Sequence, residues 1–273
     1  MTATVATVVS GDTSAAVSGA SIFVDGRVAV TDVAGRATLA VTTGSSLSID
    51  AGGFFLRETL WRGDPVLDLW PIRSDAGETF ISELVYNHLV SDGSVTRPVS
   101  GITLVLSAAV RADSAARAAQ ESAAGRVSDA TAGAIPFAVS EIAPAGGITV
   151  EVRVDPSDSF LASNPTFGAI TRVTFPGNRI TSGSITYRGT REAEASSLAT
   201  HEMGHLLGLG HPSQRGLMSP TAIGEFSNFT RAELFGIHMM QLRLPGNRPP
   251  DDDRGARASS AHRSSEVGCP WEP

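Results

Sequence analysis

Lysine is missing from this chain. All 21 basic residues among its 273 are arginine, and 28 Asp and Glu bring the net charge to −7. Schiff-base chemistry on lysine and a lysine-bearing phosphate loop are therefore excluded. An acidic chain without a basic run also lacks the electrostatic footprint for nucleic acid or an anionic membrane. Cysteine is almost missing. The single Cys269 excludes an internal disulfide framework, and any zinc site of four cysteines or of two cysteines with two histidines. No run of ~18 apolar residues occurs, so no transmembrane helix is expected. Residues 1–10 have neither a basic start nor a long apolar stretch and do not read as a signal peptide. Aromatics are scarce at 6%, but 41% of residues are hydrophobic and only 18% charged, which supports a sizeable core. The length gives a prior of about two domains.

Residues 1–72 read as all-β. Short β-rich runs at 5–9, 20–24, 28–31, 37–42, 47–50 and 54–60 are separated by turn signals such as Asp25-Gly26, whose residues accept positive φ. Residues 68–77 mark a composition shift and the expected boundary. Beyond it, 79–89 is ambiguous between helix and strand. A strand is expected at 102–106, a long Ala-rich helix at 108–132, and strands at 135–142, 148–155, 170–175 and 180–187. A second helix follows at 192–207. The expected class is α+β, a mixed sheet layered with helices and preceded by a small all-β sandwich. Residues 78–244 form the second domain, and 245–273, with Pro249-Pro250 and Asp251–Asp253, read as a disordered tail.

The informative segment is His201-Glu202-Met203-Gly204-His205-Leu206-Leu207-Gly208-Leu209-Gly210-His211. On a helix, His201 and His205 lie ~40° apart on one face, and both can reach one metal at ~2.0 Å. Continued as helix, His211 would point away, so the helix must break, and Gly208 can take the positive φ that ends it. Three neutral histidines leave Zn2+ an open fourth position for water, the mark of a catalytic site. Glu202 projects ~100° round from the ligands and can meet that water as general base. At this chain's own residue frequencies, a chance match to the pattern is on the order of 10⁻⁵.

The segment fits H-E-x-x-H-x-x-G-x-x-H and resembles the metzincin zinc metalloproteases, most nearly the matrixin-like ones. Gly216-Leu217-Met218-Ser219-Pro220 resembles that family's Met-turn, and residues 230–237 its C-terminal helix. The resemblance implies a zinc-dependent endopeptidase acting on protein or peptide, one catalytic Zn2+, secretion, and Met218 beneath the metal, with Gly208 and Pro220 shaping the site. It also implies an extended peptide beside an edge strand in the region 170–187. The pocket floor would lie near Leu217–Pro220, with Leu217 and Ser219 as candidate substrate contacts. Ser219 stands where the family usually has an aromatic. The family's loop for a second zinc and for calcium is not visible upstream of residues 148–155, and no N-terminal cysteine is present to confer latency. Residues 19–54 separately resemble the carboxypeptidase-regulatory-like (transthyretin-like) sandwich, which implies an accessory role. The alternatives are a zinc hydrolase of a non-protein amide, and a binding or adhesion protein whose sandwich carries the function.

Other residues read plainly. His88 and His238 are ordinary surface or core residues, and Cys269 is a free thiol in the tail. Glu192 and Glu194 serve a helix start. Asp155, Asp158 and Asp251–Asp253 are solvated charge, since no twelve-residue Ca2+ loop contains them.

Overall fold

The first strands obey the alternation of their sequence. In the computed structural model, which describes residues 2–86, 93–249, 251–254 and 262–271, seven strands precede the first helix. They are β1 (Thr2–Ser10), β2 (Ser21–Val24), β3 (Arg27–Val30), β4 (Arg36–Val41), β5 (Ser46–Asp50), β6 (Arg57–Leu60) and β7 (Val66–Leu69). They form two sheets, β4-β1-β7 and β3-β2-β5-β6. Along β4, Ala37, Leu39 and Val41 turn inward while Arg36 and Thr38 face water. Inward residues of both sheets, among them Val8, Ile22, Leu39, Leu47 and Ile49, share one apolar cluster. Asp25 and Gly26 both take positive φ in the two-residue turn between β2 and β3. β7 overlaps the start of the expected boundary segment. It pairs parallel with β1, so the junction is partly sheet.

The rest of the chain builds one larger layer. Helix α1 (Glu78–Ile81) runs into a π-helical turn at Ser82–Tyr86, which settles the ambiguous stretch as far as it is described. His88 lies outside the described residues. Then come β8 (Ile102–Leu106), α2 (Ala108–Ala112), α3 (Ser114–Ala130), β9 (Phe137–Ser140), β10 (Ile148–Val154), α4 (Ser159–Ser163), β11 (Phe167–Pro176), β12 (Ser182–Tyr187), α5 (Thr190–Glu194), α6 (Ser196–Leu207), α7 (Arg231–Leu242) and β13 (His262–Pro270). Both expected long helices are interrupted. Asp113 leaves helical geometry so that its carboxylate accepts from the amides of Ala115 and Ala116, capping α3. Extended Ala195 separates α5 from α6.

The six-stranded sheet runs β13-β11-β12-β10-β8-β9. Strands β9, β8, β10 and β12 are parallel, and β11 is antiparallel to β12. Helix α3 packs against both α5 and α6: Gln120 donates to the Ala193 carbonyl of α5, and Arg126 reaches Ser196 of α6. The class is α+β, as the sequence predicts. Among the described residues no helix is long and apolar enough to cross a membrane.

Three expectations fail. Residues 245–273 are not a disordered tail where they are described. Residues 262–270 extend the large sheet by pairing antiparallel with β11. Residues 251–253 pair with Glu58 on β6. Asp251 and Asp253 are not solvated: both are buried, Asp251 accepts two bonds from Arg243, and Asn247 donates to both. Asp158 is likewise engaged, capping α4 and receiving Arg172 at 2.7 and 3.0 Å. The tail composition misled because polarity signals exposure only when no partner is folded against it.

Candidate metal centre

Helix α6 stops at Gly208, whose φ of +99° is left-handed. Any side chain there would also strike the Thr96 carbonyl oxygen, 1.7 Å from the position of a Cβ. Glycine is thus required twice over, by backbone conformation and by close approach. The break lets His211 return, and the Nε2 atoms of His201, His205 and His211 converge at mutual distances of 3.1 Å. The Nδ1 atoms of His201 and His205 lie 2.6 and 2.8 Å from the carbonyl oxygens of Leu217 and Leu209. Protonated at Nδ1, these rings donate to the carbonyls and turn Nε2 lone pairs inward, the tautomer a metal ligand needs. Burial pushes His211 down to about 4, which keeps its ring neutral.

Glu202 lies beside this cluster and is fully buried. Its Oε2 accepts from the Thr171 hydroxyl of β11 at 2.5 Å. Among the described residues its Oε1 has no hydrogen-bond partner. Burial raises the carboxyl to about 7, opposed by the nearby Cys269 thiol and the Thr171 hydroxyl. A buried carboxylate oxygen without a partner is costly unless something is meant to meet it. Beneath the helix, the Met218 sulfur occupies the space a side chain at Gly204 would need, 2.4 Å from that Cβ position. Glu233 fixes the turn carrying Met218. Its Oε1 accepts from the Met218 amide at 2.6 Å, while its Oε2 accepts from the Thr230 amide and closes the capping box of α7.

A fourth donor arrives from far along the chain. The Cys269 sulfur is buried 3.3 Å from His205 Nε2 and 3.7 Å from His211 Nε2. The ligand atoms of His201, His205, His211 and Cys269 all lie within 4.8 Å of one another, a group that could hold a metal ion. Nitrogen and sulfur donors at these separations suit zinc. Cys269 is therefore not an ordinary thiol in a tail. Burial and the charge of Glu202 push it well above the usual thiol range.

Of the expected substrate contacts, Leu217 and Ser219 are buried. A cleft of about 650 Å³ beside them is lined instead by Pro220, Thr221, Ile223, Gly224, Glu225, Pro270 and Trp271. Thr171, Glu233 and Cys269 belong to the site without having been anticipated there. Glu233 was readable as the fourth residue of Thr230-x-x-Glu233, a capping-box spacing. Nothing in the sequence near Thr171 or Cys269 points to the histidines. His238 Nε2 donates to the Ala130 carbonyl, 3.1 Å away and outside the cluster, as an ordinary residue would.

Residues 118–233 match the family model described as Matrixin. No curated protein matches the chain. The matched segment runs from within α3, through the three histidines and the turn of Met218, to Glu233. It supports a zinc metallopeptidase in general, and with it zinc as the metal. The α+β layer is consistent with a metzincin-like fold preceded by a β-rich region.

Proposed function

We propose that this chain is a zinc-dependent endopeptidase in which Glu202 is the general base. The observation that carries the reading is the convergence of three Nε2 atoms at 3.1 Å beside a buried carboxylate with one partnerless oxygen. His201, His205 and His211 would hold the metal. When bound, zinc supplies a Lewis acid that polarises a peptide carbonyl and makes water acidic. Thr171 fixes Glu202 through Oε2, which leaves Oε1 to take a proton from attacking water and return it to the leaving amine. Met218, held by Glu233, supports the ligand helix from below and keeps the histidine geometry rigid. An extended peptide would pair through its main chain with a strand edge, which gives affinity without side-chain selectivity, while a pocket sets preference. The cleft from Pro220 to Glu225 is that pocket in our reading. The net charge of −7 disfavours strongly acidic peptides at long range. Matrixins are typically extracellular, and we place this protein outside the cell on that ground.

Elemental analysis and single-turnover cleavage of a peptide library test the reading together. The expected result is about one zinc per chain, with Glu202→Gln keeping its zinc and losing ~10²–10⁴ in kcat. Full zinc with unchanged kcat in Glu202→Gln would put the base elsewhere.

A further inference from the structure

A peptide that binds by main-chain pairing beside the zinc-ligand helix needs an open edge of β11, because the other edge is taken by β12. In this molecule the open edge is already filled. Strand β13 pairs along it antiparallel, from Pro176 opposite His262 to Phe167 opposite Pro270. The register decides which of its side chains meet the histidines. Thr171 of β11 points at Glu202. Ala169, two residues away, shares that face, and so do the cross-strand partners of the two, Cys269 and Val267. Gly268, opposite Ile170, falls on the other face, where Phe160 and Phe167 close over it. A slip of one residue would turn Cys269 away from the cluster. Three further contacts hold the register. Arg172 pairs with Glu266 across the strands at 2.9 Å, the Trp271 amide donates to the Thr166 carbonyl at 3.0 Å, and the Trp271 ring lies against Gly224 in the cleft wall.

The distances carry the rest. A tetrahedral zinc with nitrogens at ~2.0–2.1 Å and a sulfur at ~2.3 Å separates nitrogen from nitrogen by about 3.3 Å and nitrogen from sulfur by about 3.5 Å. The cluster has 3.1 Å between nitrogens, 3.3 and 3.7 Å from the His205 and His211 nitrogens to sulfur, and a span of 4.8 Å for the four ligand atoms with His201 included, so the sulfur has to draw in toward His201 as the metal binds. We infer that Cys269 is a fourth protein ligand of this centre and that β13 is an intramolecular occupant of the substrate cleft, so that the chain as folded is closed to peptides until that strand leaves. The inference rests on the zinc-peptidase reading. Three nitrogens and one sulfur complete a four-coordinate shell, and the position that water requires is filled. Ligation takes one proton from the thiol, which passes to solvent. Opening reverses this: the metal–sulfur bond breaks, the sulfur regains a proton, and the β11 edge is freed.

Zinc K-edge X-ray absorption on the full wild-type chain, with zinc content measured by elemental analysis, reads the shell without any assay of cleavage. One sulfur at about 2.3 Å beside nitrogens at about 2.0 Å is expected. In Cys269→Ala the sulfur scatterer disappears, zinc stays, and cleavage of a short peptide rises about tenfold or more as the competent fraction grows. Gly268→Val is the second variant, for use if Cys269→Ala does not fold. It keeps the thiol but drives a side chain into Phe160, 2.4 Å from the Cβ position, so it should expose the sulfur to a thiol reagent and raise cleavage in parallel. A nitrogen-only shell in wild type at full zinc would overturn Cys269 as a ligand while leaving the peptidase reading intact. A sulfur-containing shell with Cys269→Ala no faster than wild type would overturn the closure. A chain that binds no zinc at all would instead defeat the underlying function.

Discussion

Arg243 and Glu202 are both withdrawn from water, yet their surroundings are arranged differently. Around Arg243 the charges alternate. Asp251 receives two of its bonds at 2.6 and 2.7 Å, Asp68 of β7 receives a third at 2.5 Å, and Arg57 of β6 joins Asp68 and Asp253. Tyr86 and Asn247 fill in between, and among the described residues Arg57 Nε is the one nitrogen of the two guanidiniums without a partner. Around Glu202 the same kind of atom is gathered: three imidazole nitrogens, a sulfur and a carboxylate. The first cluster is complementary to itself and joins the N-terminal sheets to the segment after α7. The second gathers electron-pair donors, an arrangement that a cation complements. Burial alone does not distinguish a structural cluster from a reactive one. The sign and type of the atoms brought together does.

If the contrast is right, breaking the first cluster should damage stability and spare the metal. Arg243→Met leaves buried Asp251 and half-buried Asp68 without their main cation, and unfolding free energy is expected to fall by ~3–5 kcal/mol, with zinc stoichiometry unchanged in the folded fraction. Chemical denaturation paired with elemental analysis checks both halves. Loss of zinc without loss of stability would erase the distinction.

A smaller effect should appear in the second cluster. Thr171→Val removes the one hydroxyl that orients the Glu202 carboxylate, and kcat is expected to fall about tenfold, in line with a hydrogen bond to a charged group. Thermal stability should move little. Steady-state kinetics in the Cys269→Ala background isolates the term, and a change confined to KM would show that Thr171 acts on binding instead.

The smallest expected effect is a pH dependence. Burial pushes the Asp68 carboxyl up, but the charges and hydrogen bonds of Arg243 and Arg57 more than reverse this and leave it below its ordinary range. A carboxyl depressed in the folded state contributes stability above its unfolded value of about 4, and that stability is lost as pH falls through the folded value. The Tm difference between wild type and Asp68→Asn should therefore be largest near neutrality and shrink below about pH 4. A difference that grows on acidification would mean that Asp68 is not held ionised by its arginines.

Legibility followed the range of the interactions. The three histidines, Glu202 and the break at Gly208 could be read because all of their geometry lies within eleven consecutive residues of one helix and its cap. The alternating strands were readable for the same reason, as at β10, where Ile148, Val150 and Val152 are buried and Glu151 is exposed. Glu233 was readable only as a cap. Its second task, holding the Met218 amide, depends on a contact fifteen residues back. The helix breaks at Asp113 and Ala195 are not legible because alanine-rich composition favours helix throughout; at Asp113 a capping contact outweighs it, while at Ala195 the backbone turns extended without a side-chain cap.

The sequence by itself determined that a metal-ligand motif exists, which residues compose it and where its helix must end, since helical periodicity and the freedom of glycine are local properties. Only the tertiary structure decided what stands opposite. Residues 262–270 carry no strong strand signal, and Asp251–Asp253 look like solvated charge. Each is defined by partners outside its own segment: β11 with its open edge in one case, and in the other Arg57 and Glu58 of distant β6 together with Arg243 at the end of α7. Unpaired main-chain groups and buried charges acquire their partners only when the chain has brought the remote segments together.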